Sequence, residues 1–203
     1  MPYILSVLMG YLLGCVNPAY FLSKAKGVDL RKNGSGNLGA SNTAVVLGWP
    51  SAVLVAAYDI SKGALAVLLA RMLFPQTEAI GAVAGAAAIL GHIFPFYLGF
   101  RGGKGFASYI GMMFLLQWKI ALLTLALGLL ITLVTDFIAL ATISTAVVFP
   151  TIYLWQNPAL IPAVMFVVLA GVIIYKHKDN ISRIRKGTEI GLRSTAKGEN
   201  RVK

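Results

Sequence analysis

The sequence has little of what redox, zinc or covalent catalysis usually requires. Its 203 residues include one cysteine, two histidines and seven acidic residues. Cys15 has no partner for an internal disulfide, and its place in an apolar run is typical of a packing residue. The histidines and this distant cysteine make no recognisable zinc site, neither histidine begins a His-x4-Asp pair, and no Gly-x-Ser-x-Gly elbow is present. We therefore expect no metal and no other cofactor.

Charge of either sign is also scarce, since 12% of the residues are charged and 58% are hydrophobic. Soluble domains carry roughly 25% charged residues, so this composition argues against a water-soluble fold. Uncharged runs at 121–134 and 159–175 approach the ~17–25 residues that cross a bilayer. The sequence predicts an all-α, polytopic integral membrane protein with a single domain over residues 1–203.

Hydrophobic runs predict six apolar segments, one of which is long enough to be divided. The long segment, 106–134, is either one tilted helix or two helices broken at Gln117, Trp118 and Lys119. The other five segments cover 1–23, 49–74, 79–98, 137–155 and 159–175. Dividing the long segment gives seven spans.

The distribution of basic residues decides between these counts. The net charge is +11, and with seven spans 15 of the 18 basic residues fall on one side, in loops 24–45 and 99–105 and from 176 onward. Lys and Arg are retained on the cytoplasmic side of membranes. The sequence thus favours seven transmembrane helices, with the amino terminus outside and the carboxyl terminus cytoplasmic, followed by a basic, mobile tail over 191–203. We expect the charge to contact membrane lipid and no nucleic acid.

The first basic loop contains a glycine-rich segment, Gly-Ser-Gly-Asn-Leu-Gly-Ala-Ser-Asn at 34–42. Glycine permits positive φ and lets consecutive backbone N–H groups point at one anion. An ordinary flexible turn explains this segment alone equally well, because glycine-rich turns are common. Its candidate phosphate-binding residues are Gly34, Gly36, Asn37, Gly39 and Asn42.

The second basic loop, Phe-Arg-Gly-Gly-Lys-Gly at 100–105, opens the next helix. A cation, free backbone N–H groups and a positive helix end coincide there, which predicts a phosphate cradle. It is not a Walker A loop, because Leu98 stands where the first glycine is needed and Gly105 follows the lysine. Nucleotide hydrolysis is therefore disfavoured, and the candidate binding residues are Gly102, Gly103, Lys104 and Gly105.

A third polar cluster follows the last apolar segment. His177, Asn180 and Arg183 recur every three residues, so a continued helix places them near one face. Arg grips phosphate bidentately and Asn can donate to it. The alternative is a basic stripe on lipid headgroups, which fits Arg185 and Lys186 better.

Three of the ionisable residues within the apolar segments are candidates for a supporting role. Asp59 and Lys62 have the i, i+3 spacing of an ion pair, which would reduce the cost of burying either charge. The pair either supports a site or is a structural ion pair near the membrane interface. His92 is likewise either a supporting residue or a hydrogen-bonded packing histidine.

Taken in order, these motifs resemble the bacterial family, commonly called PlsY, that transfers an acyl chain from acyl phosphate to glycerol-3-phosphate. The similarity spans nearly the whole chain: 34–42, Asp59-x-x-Lys62-Gly63, Gly91-His92 with Pro95, 100–105 with Ala107, and 177–189. It implies a seven-helix protein of the bacterial plasma membrane, a cytoplasmic site at loops 24–45, 99–105 and 176–190, and a lysophosphatidate product that feeds phospholipid synthesis. It also implies catalytic roles for Ser35, Lys104, His177, Asn180 and Arg183, with Asp59, Lys62, His92 and Glu189 in support.

Val45 departs from this family, in which the resemblance implies an arginine three residues after Asn42 as a phosphate ligand. Either neighbouring cations compensate or the acceptor differs from glycerol-3-phosphate. Acyl phosphate is already an activated anhydride, so we expect direct transfer without an acyl-enzyme. An anion transporter is the alternative from another class, disfavoured because the polar motifs gather on one side and not at the midplane.

Overall fold

In the computed structural model, which describes residues 1–197, the chain is helical and contains no strand in that range. The prediction of an all-α fold is confirmed. The helices are α1 (Pro2–Cys15), α2 (Pro18–Ala25), α3 (Ala40–Leu47), α4 (Trp49–Leu73), α5 (Ile80–Ile93), α6 (Phe106–Thr135), α7 (Ile138–Gln156), α8 (Leu160–Lys176), α9 (Lys178–Arg185) and α10 (Leu192–Lys197), with a 3₁₀ turn at Phe96–Leu98.

Between residues 1 and 197, five segments are long and apolar enough to cross a membrane, and a sixth is formed if α8 and α9, bent by 46°, count as one span. The chain is therefore a multi-pass membrane protein, and the predicted count of seven is not confirmed. The predicted interruption of the long segment is seen within α6, where Gln117 has non-helical angles of φ −157° and ψ 90°.

The first predicted span, 1–23, corresponds to the apolar segment Pro2–Ala25, but that segment is not one continuous helix. It divides into α1 and α2 at Val16 and Asn17. Pro18 begins α2, and Asn17 caps it by accepting a hydrogen bond from the Tyr20 N–H at 2.9 Å. Pro tolerates the first helical turn but ends a preceding helix, which explains the break. The following loop is also shorter than predicted, because α3 begins at Ala40.

Small residues let the central helices approach closely. Almost every residue of α5 is buried, and its Ala84 and Ala88 backbone atoms lie where a Cβ on Gly10 or Gly14 of α1 would be. The contact between α4 and α6 is similar, since a Cβ on Gly111 would overlap the Ile60 carbonyl oxygen. Such contacts are typical of membrane helices, where packing replaces the hydrophobic effect as the driving force.

We expect Gly111→Ala to lower the free energy of unfolding by about 1–3 kcal/mol, because an added methyl group would press on helix backbone that cannot move independently. Gly171→Ala is the matched control. It lies in α8, where an added Cβ would meet no described atom within 4 Å beyond the adjacent residues and the backbone of its own helix, so we expect no loss of stability. Denaturant unfolding in detergent micelles checks both variants, and equal stability of the two would contradict this close packing.

The described part of the carboxyl-terminal segment, up to residue 197, packs against the rest of the protein. The Leu192 and Arg193 N–H groups donate to the backbone oxygen and the Oδ1 of Asp136, both at 2.9 Å. This contact holds the start of the predicted mobile tail against the turn between α6 and α7. Residues 198–203 of that tail lie outside the described residues.

Candidate functional site

The polar motifs line two adjoining cavities. The first, here called the inner cavity, has a volume of about 340 Å³ and lies between α3 and α4 on one side and α7 and residues 189–195 on the other. The second, here called the basic cavity, has a volume of about 430 Å³. The two share three lining residues, Ser35, Asn37 and Lys104.

The two cavities differ sharply in charge. Lys104 is the one Lys or Arg among the residues found to line the inner cavity, where Asp59 and Glu189 are the acidic residues and Val45 is part of the apolar wall. The basic cavity is lined by two acidic residues, Asp29 and Asp179, and by six basic ones: Arg31, Lys32, Arg101, Lys104, Lys176 and Arg183. Such a surplus of positive charge in a cleft attracts anions.

The first glycine loop is folded by the side chain of Asn42. The Asn42 Oδ1 accepts from the Ser35 N–H at 2.8 Å, and its Nδ2 donates to the Leu30 and Asn33 carbonyls at 3.1 Å each. Gly34 and Gly36 have φ of 60° and 71°, which favours glycine. Ser35, Asn37, Gly39 and Asn42 line the inner cavity, but the amide of Asn42 is occupied by the loop itself. Asn42 therefore shapes the loop in this structure.

Asn17 is a further positioning residue, which the sequence analysis missed. Its fully buried side chain donates to the Leu38 carbonyl at 3.2 Å, so it ties the break between α1 and α2 to the first glycine loop. The Asn-Pro pair was a signal for a helix start. Nothing local indicated the contact with Leu38, because the two residues are 21 positions apart.

The second glycine loop folds back on the end of α5. The Gly102 N–H donates to the Ile93 carbonyl at 3.0 Å, and the Gly103 N–H donates to the His92 carbonyl at 3.1 Å. The prediction that both N–H groups are free for an anion is therefore wrong, because the loop uses them to close on the helix. Gly105 has a φ of 88° and directly precedes α6, and Lys104 beside it lines both cavities.

The third cluster joins the second loop through a chain of polar contacts. The Lys104 ammonium donates to the Asn180 Oδ1, and the Asn180 Nδ2 donates to Glu189. Glu189 also pairs with Arg183, whose Nε lies 2.6 Å from its Oε2. Residues far apart in sequence thus lie together, as the motifs predicted.

His177 lies beside this chain of contacts and is 4% exposed. Its Nδ1 lies 2.8 Å from the Ile173 carbonyl oxygen, which can only accept, so Nδ1 carries the proton. The Nε2 of His177 is therefore left as a hydrogen-bond acceptor. His177 lines the inner cavity together with Lys104 and Asn180.

The ion pair predicted between Asp59 and Lys62 is confirmed, with 2.7 Å between Nζ and Oδ1. Both side chains are almost wholly buried, at 1% and 3% exposure. The Nδ1 of His92 lies 2.9 Å from Lys62 and 3.2 Å from Asp59. Asp59 and His92 also line the inner cavity, so this group of three adjoins the site.

Comparison with known proteins agrees with this arrangement. The model of the glycerol-3-phosphate acyltransferase family matches residues 4–187. The glycerol-3-phosphate acyltransferase of Thermoanaerobacter pseudethanolicus is 36% identical over 92% of this chain and 93% of its own length. That of Mesorhizobium japonicum is 39% identical over 92% of this chain and 94% of its own length.

Solved structures give the same result. The crystal structure of PlsY (YgiH), an integral membrane glycerol 3-phosphate acyltransferase, in its glycerol 3-phosphate form matches with a TM-score of 0.87 and 33% identity, and it covers 97% of this chain and 98% of that one. The lysophosphatidic acid form of PlsY matches with a TM-score of 0.82, also at 33% identity, over 94% of this chain and 95% of that one. The chain therefore belongs to the glycerol-3-phosphate acyltransferase family, as an integral membrane protein of the PlsY type.

Proposed function

We propose that this protein transfers a fatty acyl group from acyl phosphate to the sn-1 hydroxyl of glycerol-3-phosphate, releasing lysophosphatidate and phosphate. The observation that carries the proposal is the meeting of two cavities at Lys104, one strongly basic and the other largely apolar. An enzyme that joins a phosphorylated acceptor to an acyl chain needs both environments side by side. The basic cavity suits phosphate groups, and the inner cavity suits the acyl carbonyl and the start of its chain.

Transfer is direct in this scheme. The acceptor oxygen attacks the acyl carbonyl carbon, the bond from that carbon to the phosphate oxygen breaks, and phosphate leaves with the electron pair. The acceptor proton goes to the Nε2 of His177 or to the departing phosphate. Lys104, Arg183, Asn180 and Ser35 hold the two anionic reactants, which lowers the barrier by positioning and by compensating charge.

Purified protein incubated with acyl phosphate and glycerol-3-phosphate is expected to form lysophosphatidate, identified by mass spectrometry of the lipid products. Intact-protein mass spectrometry during turnover is expected to show no acyl adduct. A product without the glycerol phosphate group would contradict the proposed acceptor, and a trapped acyl-protein species would contradict direct transfer.

A different acceptor is the second candidate, because Val45 supplies no charge to the inner cavity, where it is 7% exposed. Arg31, Arg101 and Arg183 in the basic cavity are the cations that can compensate. A panel of phosphorylated and uncharged acceptors, supplied with the same acyl phosphate, separates the candidates by their relative kcat/KM.

We further propose that α6 counts as two spans divided at Gln117, which with α8 gives seven. The carboxyl terminus and both cavities then face the cytoplasm, across the bacterial plasma membrane. The excess of Lys and Arg around the cavities supports this orientation. Membrane-impermeant glycerol-3-phosphate should then be acylated by inverted vesicles and not by right-side-out vesicles, and the reverse result would contradict it.

Substrate binding should weaken as the pH rises through about 8. Burial, followed by the neighbouring charge of Arg183, lowers the pKa of Lys104 to about 8, so its positive charge is lost above that pH. We expect the KM for glycerol-3-phosphate to rise roughly tenfold from about pH 7 to about pH 9, because one unit above its pKa only about a tenth of the lysine remains charged.

Lys104→Arg is the control for this pH effect, because arginine stays protonated throughout the range. Its KM should be nearly constant between the same pH values, whatever its absolute rate. Steady-state kinetics across the range checks both proteins, and an equal rise of KM in the variant would exclude Lys104 as the source.

A further inference from the structure

His92 is buried but is not enclosed on every side. It is 3% exposed, lines the inner cavity, and has its Nδ1 engaged by Lys62 and Asp59. Within residues 1–197 its Nε2 has no hydrogen-bond partner. A Cβ on Gly103 would overlap this Nε2 and would also come within 2.8 Å of the Leu38 carbonyl oxygen. The free nitrogen thus lies where the two glycine loops meet.

The partners of Lys62 determine which nitrogen of His92 carries the proton. An ammonium group can only donate, and the Lys62 Nζ hydrogen-bonds to the Val16 carbonyl oxygen at 2.8 Å and to the His92 Nδ1 at 2.9 Å, while it forms an ion pair with the Asp59 Oδ1 at 2.7 Å. A proton on Nδ1 would face the Asp59 Oδ1, 3.2 Å away, but would oppose the Lys62 ammonium at the shorter distance of 2.9 Å. We therefore assign Nδ1 as the acceptor from Lys62 and place the proton of the neutral ring on Nε2.

We propose that His92 is a substrate-binding residue whose Nε2–H, set by Lys62, donates to an anionic oxygen of the reactants where the two glycine loops meet. The oxygen belongs either to the phosphoryl group or to the acyl carbonyl, both of which carry negative charge during transfer. This inference rests on the proposed acyl transfer, since that reaction supplies the oxygen. A donor held in place before the reaction lowers the barrier without the cost of reorienting water.

The two histidines then have opposite roles in one cavity. His177 has its proton on Nδ1, bound to Ile173, and offers a lone pair at Nε2. His92 has its lone pair at Nδ1, bound to Lys62, and offers a proton at Nε2. One side chain is equipped to accept a proton and the other to stabilise negative charge, and the surrounding helices fix each assignment.

Two variants separate this role from simple packing. His92→Asn keeps a polar atom near the position of Nδ1, which can still accept from Lys62, but removes the group that reaches the cavity. His92→Gln keeps a donor near the position of Nε2 but leaves Lys62 short of one acceptor. If His92 binds substrate through Nε2, the two variants should rank oppositely in stability and in activity. The Asn variant should be the more stable protein, and the Gln variant should be the more active enzyme.

We expect His92→Asn to lower kcat/KM at least about 100-fold, with a thermal unfolding midpoint close to that of the wild type. His92→Gln should retain at least ten times the activity of His92→Asn despite a lower midpoint. Loss mainly in kcat identifies the carbonyl oxygen as the partner, and a rise mainly in KM identifies the phosphoryl group. Activities that follow the unfolding midpoints, or a wild-type rate in His92→Asn, would overturn the proposal.

A second measurement does not depend on turnover. The chain has two histidines, so nitrogen NMR of histidine-labelled protein gives two rings, and a His177→Asn variant assigns them. We expect His92 to show a protonated Nε2 and an unprotonated Nδ1, with the Nε2 signal moving on addition of glycerol-3-phosphate or inorganic phosphate. A proton on Nδ1, or an Nε2 signal unmoved by either anion and by acyl phosphate, would overturn the proposal even if the protein catalysed another reaction.

Discussion

Replacing Lys104 with alanine is expected to lower kcat/KM about 100- to 1,000-fold or more, which is the loss typical of removing one preorganised donor at a developing negative charge. Lys104 is the one cation among the described lining residues that belongs to both cavities. It is also half-buried, so its charge is only partly screened by water. Among residues 1–197, no other lysine or arginine that lines the basic cavity also lines the inner cavity to compensate.

Arg183→Ala tests the same cluster from the other side. Its loss also releases the Glu189 carboxylate, which would then repel anionic substrate near the inner cavity. Arg185→Ala is the matched control, since Arg185 is exposed on the same helix and lines neither cavity. Initial rates are compared in folded, membrane-inserted protein. Rates like those of the wild type in both Lys104→Ala and Arg183→Ala would remove the proposed site.

Lys62→Met should lower the free energy of unfolding by about 3–5 kcal/mol, the usual cost of leaving one member of a buried ion pair without its partner. Asp59 would remain as a carboxylate at 1% exposure, in a segment surrounded by hydrocarbon. The Val16 carbonyl and the His92 Nδ1 would lose a donor as well. Denaturant unfolding in micelles measures the change.

The double variant Asp59→Asn with Lys62→Met shows whether the charge is the cause. It removes both charges, so at least half of the lost stability should return even though the polar contacts are still missing. If the double variant is instead less stable than Lys62→Met alone, lost hydrogen bonds and packing dominate and the ion pair does not explain the effect.

The membrane spans show how much of the helical structure can be predicted from local hydropathy. Apolar length identified the bodies of α4, α5, α7 and α8, because every helix that crosses hydrocarbon must be long and apolar. The break at Asn17 was missed, since two short helices and one long helix have the same hydropathy. The break at Gln117 was anticipated from two polar residues, Gln117 and Lys119, within an apolar run.

The site motifs were identifiable because their composition is out of place in a membrane protein. Glycine loops with cations, and a His-Asn-Arg face after a span, have few structural explanations there. The roles of individual atoms were harder to predict from the sequence. Asn42 and the N–H groups of Gly102 and Gly103 were expected to be free for phosphate, but they bond within the chain. The sequence does not distinguish a hydrogen-bond donor that is free from one that is already bonded within the chain.

By itself the sequence determined that this chain is a helical membrane protein with three basic motifs of one enzyme family, because length, hydropathy and residue chemistry are properties of the chain in any conformation. Only the tertiary structure decided that the motifs form two cavities joined at Lys104, and which nitrogen of each histidine is bound within the protein. These features depend on partners such as Val16 for Lys62 and Leu38 for Asn17, which come within hydrogen-bonding distance only once the helices have packed.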